Sequence, residues 1–141
     1  MTLSFGDQIK NWRNKTEQRM ELVFQESVQE VAKTANKPRA KGGYMPVDTG
    51  FLINSLTAAI NSIPSGRGKQ PDGYNQQAWD ATPVLLVVNK AKIGDRVTLG
   101  WTANYAIYME ARYGFMRLAA QQWPQIVKRV TRRVDKRIGE R

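Results

Sequence analysis

Apolar residues recur at steps of three and four through the first quarter of the chain. Phe5, Ile9, Trp12, Met20, Val23, Phe24, Val28 and Val31 share one helical face, with Thr16 bridging the gap. Lys10, Glu17, Arg19, Glu21, Glu26 and Glu30 occupy the other face. The spacing predicts one amphipathic helix from about Asp7 to Ala35, with Ser4 or Asp7 as its N-cap. At about 1.5 Å per residue it reaches about 40 Å, so it crosses the whole fold or projects toward a neighbour.

The pattern stops from Asn36 to Pro46. Lys37, Pro38, Arg39, Ala40, Lys41, Gly42 and Gly43 combine turn formers with cations, which reads as a flexible basic loop. Its cations Lys37, Arg39 and Lys41 are candidate contacts for phosphates, or they are simply solvated. Asp48 then stands where an N-cap would, its carboxylate placed to accept the amides of Gly50 or Phe51, with Phe51, Leu52 and Leu56 as a short apolar face. A helix start also suits an anion, but Asp48 already sits there, so self-capping is the better reading.

Leu56 to Ile63 alternates like a strand and Pro64 ends it. Ser65 to Thr82 is rich in Gly, Pro, Gln, Asn and Asp, and reads as a long flexible loop. Its Tyr74 and Trp79 either anchor a partner or fold back onto the domain. The continuous run Val84–Val88 predicts a strand covered on both faces, joined through a turn at Lys92–Arg96 to the alternating Val97, Leu99 and Trp101. Tyr105, Tyr108, Met109 and Tyr113 gather along one side of a short helix, Gly114 turns the chain, and Phe115 and Leu118 restart an apolar face. In the last segment Trp123, Val127, Val130, Val134 and Ile138 mark a seam among Lys128, Arg129, Arg132, Arg133, Lys136 and Arg137. Pro124 starts that helix or kinks a longer one begun near Phe115.

These elements predict a single α+β domain over residues 1–141. A long N-terminal helix and a basic C-terminal helix pack on a small antiparallel sheet of about three to four strands. The loops near 36–46 and 65–82 interrupt it.

Composition narrows the chemistry. The chain has 141 residues, no Cys and no His, which removes disulfides, the commonest general base and the commonest metal ligand. Gly66, Arg67, Gly68 and Lys69 fail as a phosphate loop, because Ile63 replaces the first Gly and Gln70 follows the Lys. Asp72, Asp80, Asp95 and Glu110 are scattered at no spacing that pairs carboxylates. No catalytic, cofactor or metal site is expected. No run is apolar and long enough to cross a bilayer, and the N-terminus is not signal-like, so a soluble protein is expected. With 22 Lys plus Arg against 12 Asp plus Glu, the net charge of +10 invites a polyanion, an acidic protein face or a membrane surface.

Two segments carry a resemblance. Pro46-Val47-Asp48-Thr49-Gly50-Phe51-Leu52 with Ser55-Leu56 is similar to a Pro-x-Asp-Thr-Gly-x-Leu-x-x-Ser run. Asn104-Tyr105-Ala106, Tyr108-Met109-Glu110, Tyr113-Gly114 and Phe115-Met116-Arg117 with Ala119 are similar to Tyr-Ala-x-Tyr-Val-Glu-x-Gly followed by Phe-Leu-Arg-Pro-Ala. Both runs, in this order, belong to the tail-completion and neck proteins of tailed bacteriophages, the head-to-tail joining family to which minor tail protein Z is related. Leu118 departs from the pattern where the family often has Pro, and the loop Ser65–Thr82 has no clear counterpart.

The resemblance implies a non-enzymatic virion protein forming a ring, usually hexameric, at the head–tail junction. Its partners would be copies of itself, the portal or connector, and tail-tube or tail-terminator proteins. Genome DNA would pass through the lumen without sequence-specific binding, no membrane would be involved, and assembly would occur in the host cytoplasm. Asp48, Thr49, Gly50, Leu52, Tyr105, Tyr108, Glu110, Gly114, Phe115 and Arg117 would serve fold and ring integrity. Arg132 and Arg133 would dock onto an acidic neighbour or passing DNA. The main rival is a basic nucleic-acid-binding domain; a peripheral membrane protein bound through the C-terminal helix is a third reading.

Overall fold

Ser4 starts the first helix in a computed structural model that describes residues 4–139: its Oγ accepts the amide of Asp7 at 3.1 Å, as an N-cap does. The helix, α1, runs unbroken over Phe5–Ala35. Asn36 closes it, its amide donating back to the carbonyls of Ala32 and Thr34. The chain then makes a single 3₁₀ turn at Arg39–Lys41, and the Pro38–Met45 bridge sends it back with Met45 fully buried.

The sheet has two strands. β1 (Leu56–Ile60) pairs antiparallel with β2 (Val97–Trp101), Leu56 opposite Trp101, Ala58 opposite Leu99 and Ile60 opposite Val97. The expected strand at Val84–Val88 is instead part of a helix, α2 (Thr82–Val88). A short apolar run carries no period that separates strand from buried helix. Here Pro83 sits in the first turn, Asp80 Oδ1 accepts the Thr82 amide at 3.1 Å, and Val84 and Val88 are buried one turn apart. Gln25 of α1 fastens the far end of α2, its Nε2 donating to the carbonyl of Ala91 at 2.8 Å.

After β2 come α3 (Ala106–Tyr113), α4 (Phe115–Ala120) and α5 (Trp123–Gly139). Pro124 therefore lies in the first turn of a new helix, where its missing amide costs nothing. α5 sorts its residues into four files, each at steps of four. Ile126, Val130 and Val134 are fully buried and pack on Val23 and Val31 of α1. The predicted seam had Val127 in place of Ile126, one file too far around. Arg129, Arg133 and Arg137 face α1: Arg129 reaches Glu30, Arg133 both Glu26 and Glu30, and Arg137 Glu26. Val127, Thr131 and Asp135 form the opposite flank, where Asp135 meets Arg19 at 2.7 Å. Lys128, Arg132 and Lys136 point outward. These pairings make α1 and α5 antiparallel. Exposed ion pairs contribute little each, about 0–1 kcal/mol, so the apolar file supplies the stability and the charges set register.

The apolar core joins through one buried amide. Asn36, 2% exposed, accepts from the indole Nε1 of Trp101 at 2.9 Å and donates to the carbonyl of Ile53 at 3.1 Å. It ties the end of α1 to β2 and to the 3₁₀ turn Ile53–Ser55. Among the described residues, no helix is long and apolar enough to cross a membrane.

Asn36→Ala leaves an indole N–H and a carbonyl without their partner. Each buried unpaired group costs about 1–3 kcal/mol, so a loss of roughly 2–4 kcal/mol is expected. Thermal unfolding checks it; a midpoint within about 2 °C of wild type would be too small for that loss.

Candidate functional site

The two segments that carry the resemblance lie far apart in sequence, and the fold packs them together. The Asp48–Leu52 segment forms one wall of a cleft of about 470 Å³, and Tyr105, Met109 and Tyr113 form the other. Pro38, Arg39 and Ala40 make its rim, and Gln70 from the long loop completes it.

No helix begins at Asp48. Its exposed carboxylate caps nothing among the described residues; Thr49 accepts the Phe51 amide instead, at 3.4 Å. The chain bends through Gly50 directly into the 3₁₀ turn, leaving no run of free amides for Asp48 to satisfy. The Gly50 requirement is strict. It sits at φ +86°, and an added Cβ would lie 1.7 Å from the carbonyl oxygen of Gln76. The long loop is thus pressed against this segment. Gln76 donates its amide to Thr49 O at 2.9 Å, and Gln77 Nε2 donates to Asp48 O at 3.1 Å. Asn54 clamps the same loop: its Nδ2 reaches the carbonyls of Gln76 and Ala78 at 2.9 and 3.1 Å, and its Oδ1 accepts the Asp80 amide at 2.9 Å.

Across the cleft, Gln70 Oε1 accepts from both Thr49 Oγ1 at 3.1 Å and the Tyr105 hydroxyl at 3.3 Å. Burial first, then the charge of Asp48, pushes the Tyr105 phenol above its ordinary pKa. The hydroxyl therefore keeps its proton and acts as a donor. Tyr113 is covered by cations, with the Arg39 guanidinium 4.6 Å and that of Arg112 5.3 Å from the ring centre. Tyr74 and Trp79 fold back: Tyr74 meets Phe51 edge-on at 5.2 Å, and Trp79 packs on both main apolar clusters. Arg67 lies over Tyr74 and hydrogen-bonds its hydroxyl at 2.7 Å.

The rest of the second motif builds a helix junction. Gly114 takes φ +66°, ending α3 and starting α4 at one residue. Glu110 reaches past it, its two carboxylate oxygens accepting the amides of Met116 and Arg117 at 2.8 and 3.0 Å. This carboxylate does what was expected of Asp48, satisfying free amides where the helix dipole favours negative charge. Phe115 is buried and meets Trp101 edge-on at 5.0 Å. Tyr108, by contrast, points outward and is 73% exposed.

Of the remaining predicted residues, Lys37 and Lys41 line a separate hollow with Lys33 and Trp79. Arg133 is engaged within the chain by Glu26 and Glu30. Arg132 remains on the outer file. Asn36, Asn54 and Gln70 escaped sequence reading because a lone amide carries no periodic signal. Among the described residues, no group of three or more side chains is placed to hold a metal ion.

Three substitutions test this assignment. Glu110→Ala is expected to cost about 0.5–2 kcal/mol by uncapping α4, whereas Asp48→Ala changes stability by less than about 0.5 kcal/mol. Gly50→Ala is expected to cost more than either, since both its backbone angle and the Gln76 contact oppose a side chain. Denaturant midpoints measure all three, and equal losses at Asp48 and Glu110 would contradict the capping assignment. No family model, curated protein or solved structure matches this chain.

Proposed function

We propose that this chain is a structural protein of a tailed-bacteriophage particle, forming a ring at the head–tail junction. The ring completes or terminates the tail, joins it to the portal or connector, and leaves a channel for DNA. Its partners are copies of itself and the adjoining portal and tail proteins, and its work is contact rather than turnover. Assembly takes place in the host cytoplasm.

The observation that carries the reading is the reach of α1. Every residue from Ser4 to Lys15 is exposed, although Phe5, Ile9 and Trp12 lie among them on one face. A water-exposed apolar stripe on a stiff projecting helix is an interaction surface in search of a partner. The packing of both resemblance segments around one cleft adds support, because a shared framework gives each a reason to keep its pattern. Closed rings use contacts between unlike patches, which suits a molecule with an arm at one end and a broad body at the other.

A nucleic-acid-binding domain is the second reading, favoured by one feature. Lys128, Arg132 and Lys136 form an outward basic line with no acidic partner among the described residues. Native mass measurement and duplex-DNA titration separate the two. The ring reading expects defined oligomers of the chain or complexes with tail proteins, and only weak, sequence-blind DNA binding. Tight binding by a persistent monomer, with log affinity falling by about 0.9 per phosphate contacted as log salt rises, would favour the rival.

A further inference from the structure

We infer that the arm of one copy, Phe5–Trp12, seats in the groove between α1 and α5 of the next copy. The inference rests on the ring reading and says where neighbouring copies touch. The groove holds about 510 Å³ and includes Met20, Phe24, Ser27, Trp123, Val127 and Thr131 in its lining. Its surface is mostly apolar, with Thr16, Arg19 and Thr131 as polar positions along it and Ser27 at its base. Ser27 is completely buried, and its Oγ is the one buried side-chain polar atom without a hydrogen-bond partner among the described residues.

The arm supplies the matching half. Phe5, Ile9 and Trp12 are 76%, 50% and 69% exposed, at spacings of four and three. The stripe from Phe5 to Trp12 is about 10 Å long, and the α1 wall of the groove, from Thr16 to Ser27, runs about 16 Å, long enough to take it. Arm and groove belong to one unbroken helix, so they cannot meet within a chain. Among the described residues nothing extends α5 over the arm either: Asp135 is already level with Arg19, and the described helix ends at Gly139. The occupant is therefore another molecule, and a second copy fits best. Each copy offers one stripe and one groove long enough to hold it, and head-to-tail seating covers both. A two-fold pairing of arms would cover the stripes but leave the groove at Met20, Phe24 and Trp123 uncovered. Because each chain carries +10, copies repel, so this apolar joint tightens as salt rises, opposite to a phosphate contact.

The chain lacks cysteine, which permits a direct test by disulfide formation at introduced sites. Chains carrying Ile9→Cys are mixed with chains carrying Thr131→Cys under mild oxidation. The expected product is the mixed dimer, and chains carrying both substitutions should give a ladder of multiples. Trp12→Ala should lower association at least about tenfold with an unchanged melting midpoint, since the side chain touches little of its own fold. Cross-links only between two Ile9→Cys chains would overturn the inference in favour of two-fold arm pairing. No cross-link at any salt concentration would overturn it outright. A closed ring without the 9–131 link refutes this joint and keeps the ring; a ladder of open chains that never closes keeps the joint and refutes the ring.

Discussion

A single buried amide holds the parts of this molecule in relation. Asn36 ends the long helix, and from that point its side chain reaches both β2, through Trp101, and the 3₁₀ turn, through Ile53. Trp101 flanks both main apolar clusters and stacks edge-on against Phe115, so what fixes Trp101 also fixes α4. Without a hydrogen-bonding residue there, two polar groups would be sealed among apolar side chains, and the three elements would lose their common reference. The small sheet cannot supply that reference, because two strands alone are barely stable in water.

Around this hub, the fold uses short polar fastenings where regular structure is sparse. The stretch from Asn61 to Ala81 contains no helix or strand, yet it is held at fixed points by Asn54, Thr49, Thr102 and the Gly68–Ala103 bridge. Gly50 lets that loop approach to a distance no side chain would allow. The Asp-Thr-Gly segment is therefore a landing site for another part of the chain, and its acidic residue is left free at the mouth of a cleft.

Sequence periodicity served well where one face of an element is buried over several turns. α1 was legible almost to the residue, β1 and β2 emerged from simple alternation, and α5 was clear as a helix. Periodicity failed in two ways. Val84–Val88 is apolar at every position, so strand and helix give the same pattern, and only Asp80 and Pro83 hinted at a helix start. In α5, Val127 and Ile126 are both apolar, and sequence alone could not choose which file faces α1; the glutamates at 26 and 30 settle the rotation through Arg133. The cleft was legible only as two separate motifs. Its closing residue, Gln70, and the exchange of capping roles between Asp48 and Glu110 depend on tertiary contacts that no local pattern records.

One consequence follows from α1 being continuous. The same rod that forms a wall of the interior also extends into solvent, so the protruding part is already in its final shape before it meets anything. Ordering a limp tail on association would cost conformational entropy for every residue immobilised. Here that loss has been absorbed by folding, so a contact made by the protruding part would need less apolar area than one made by a tail that orders on binding.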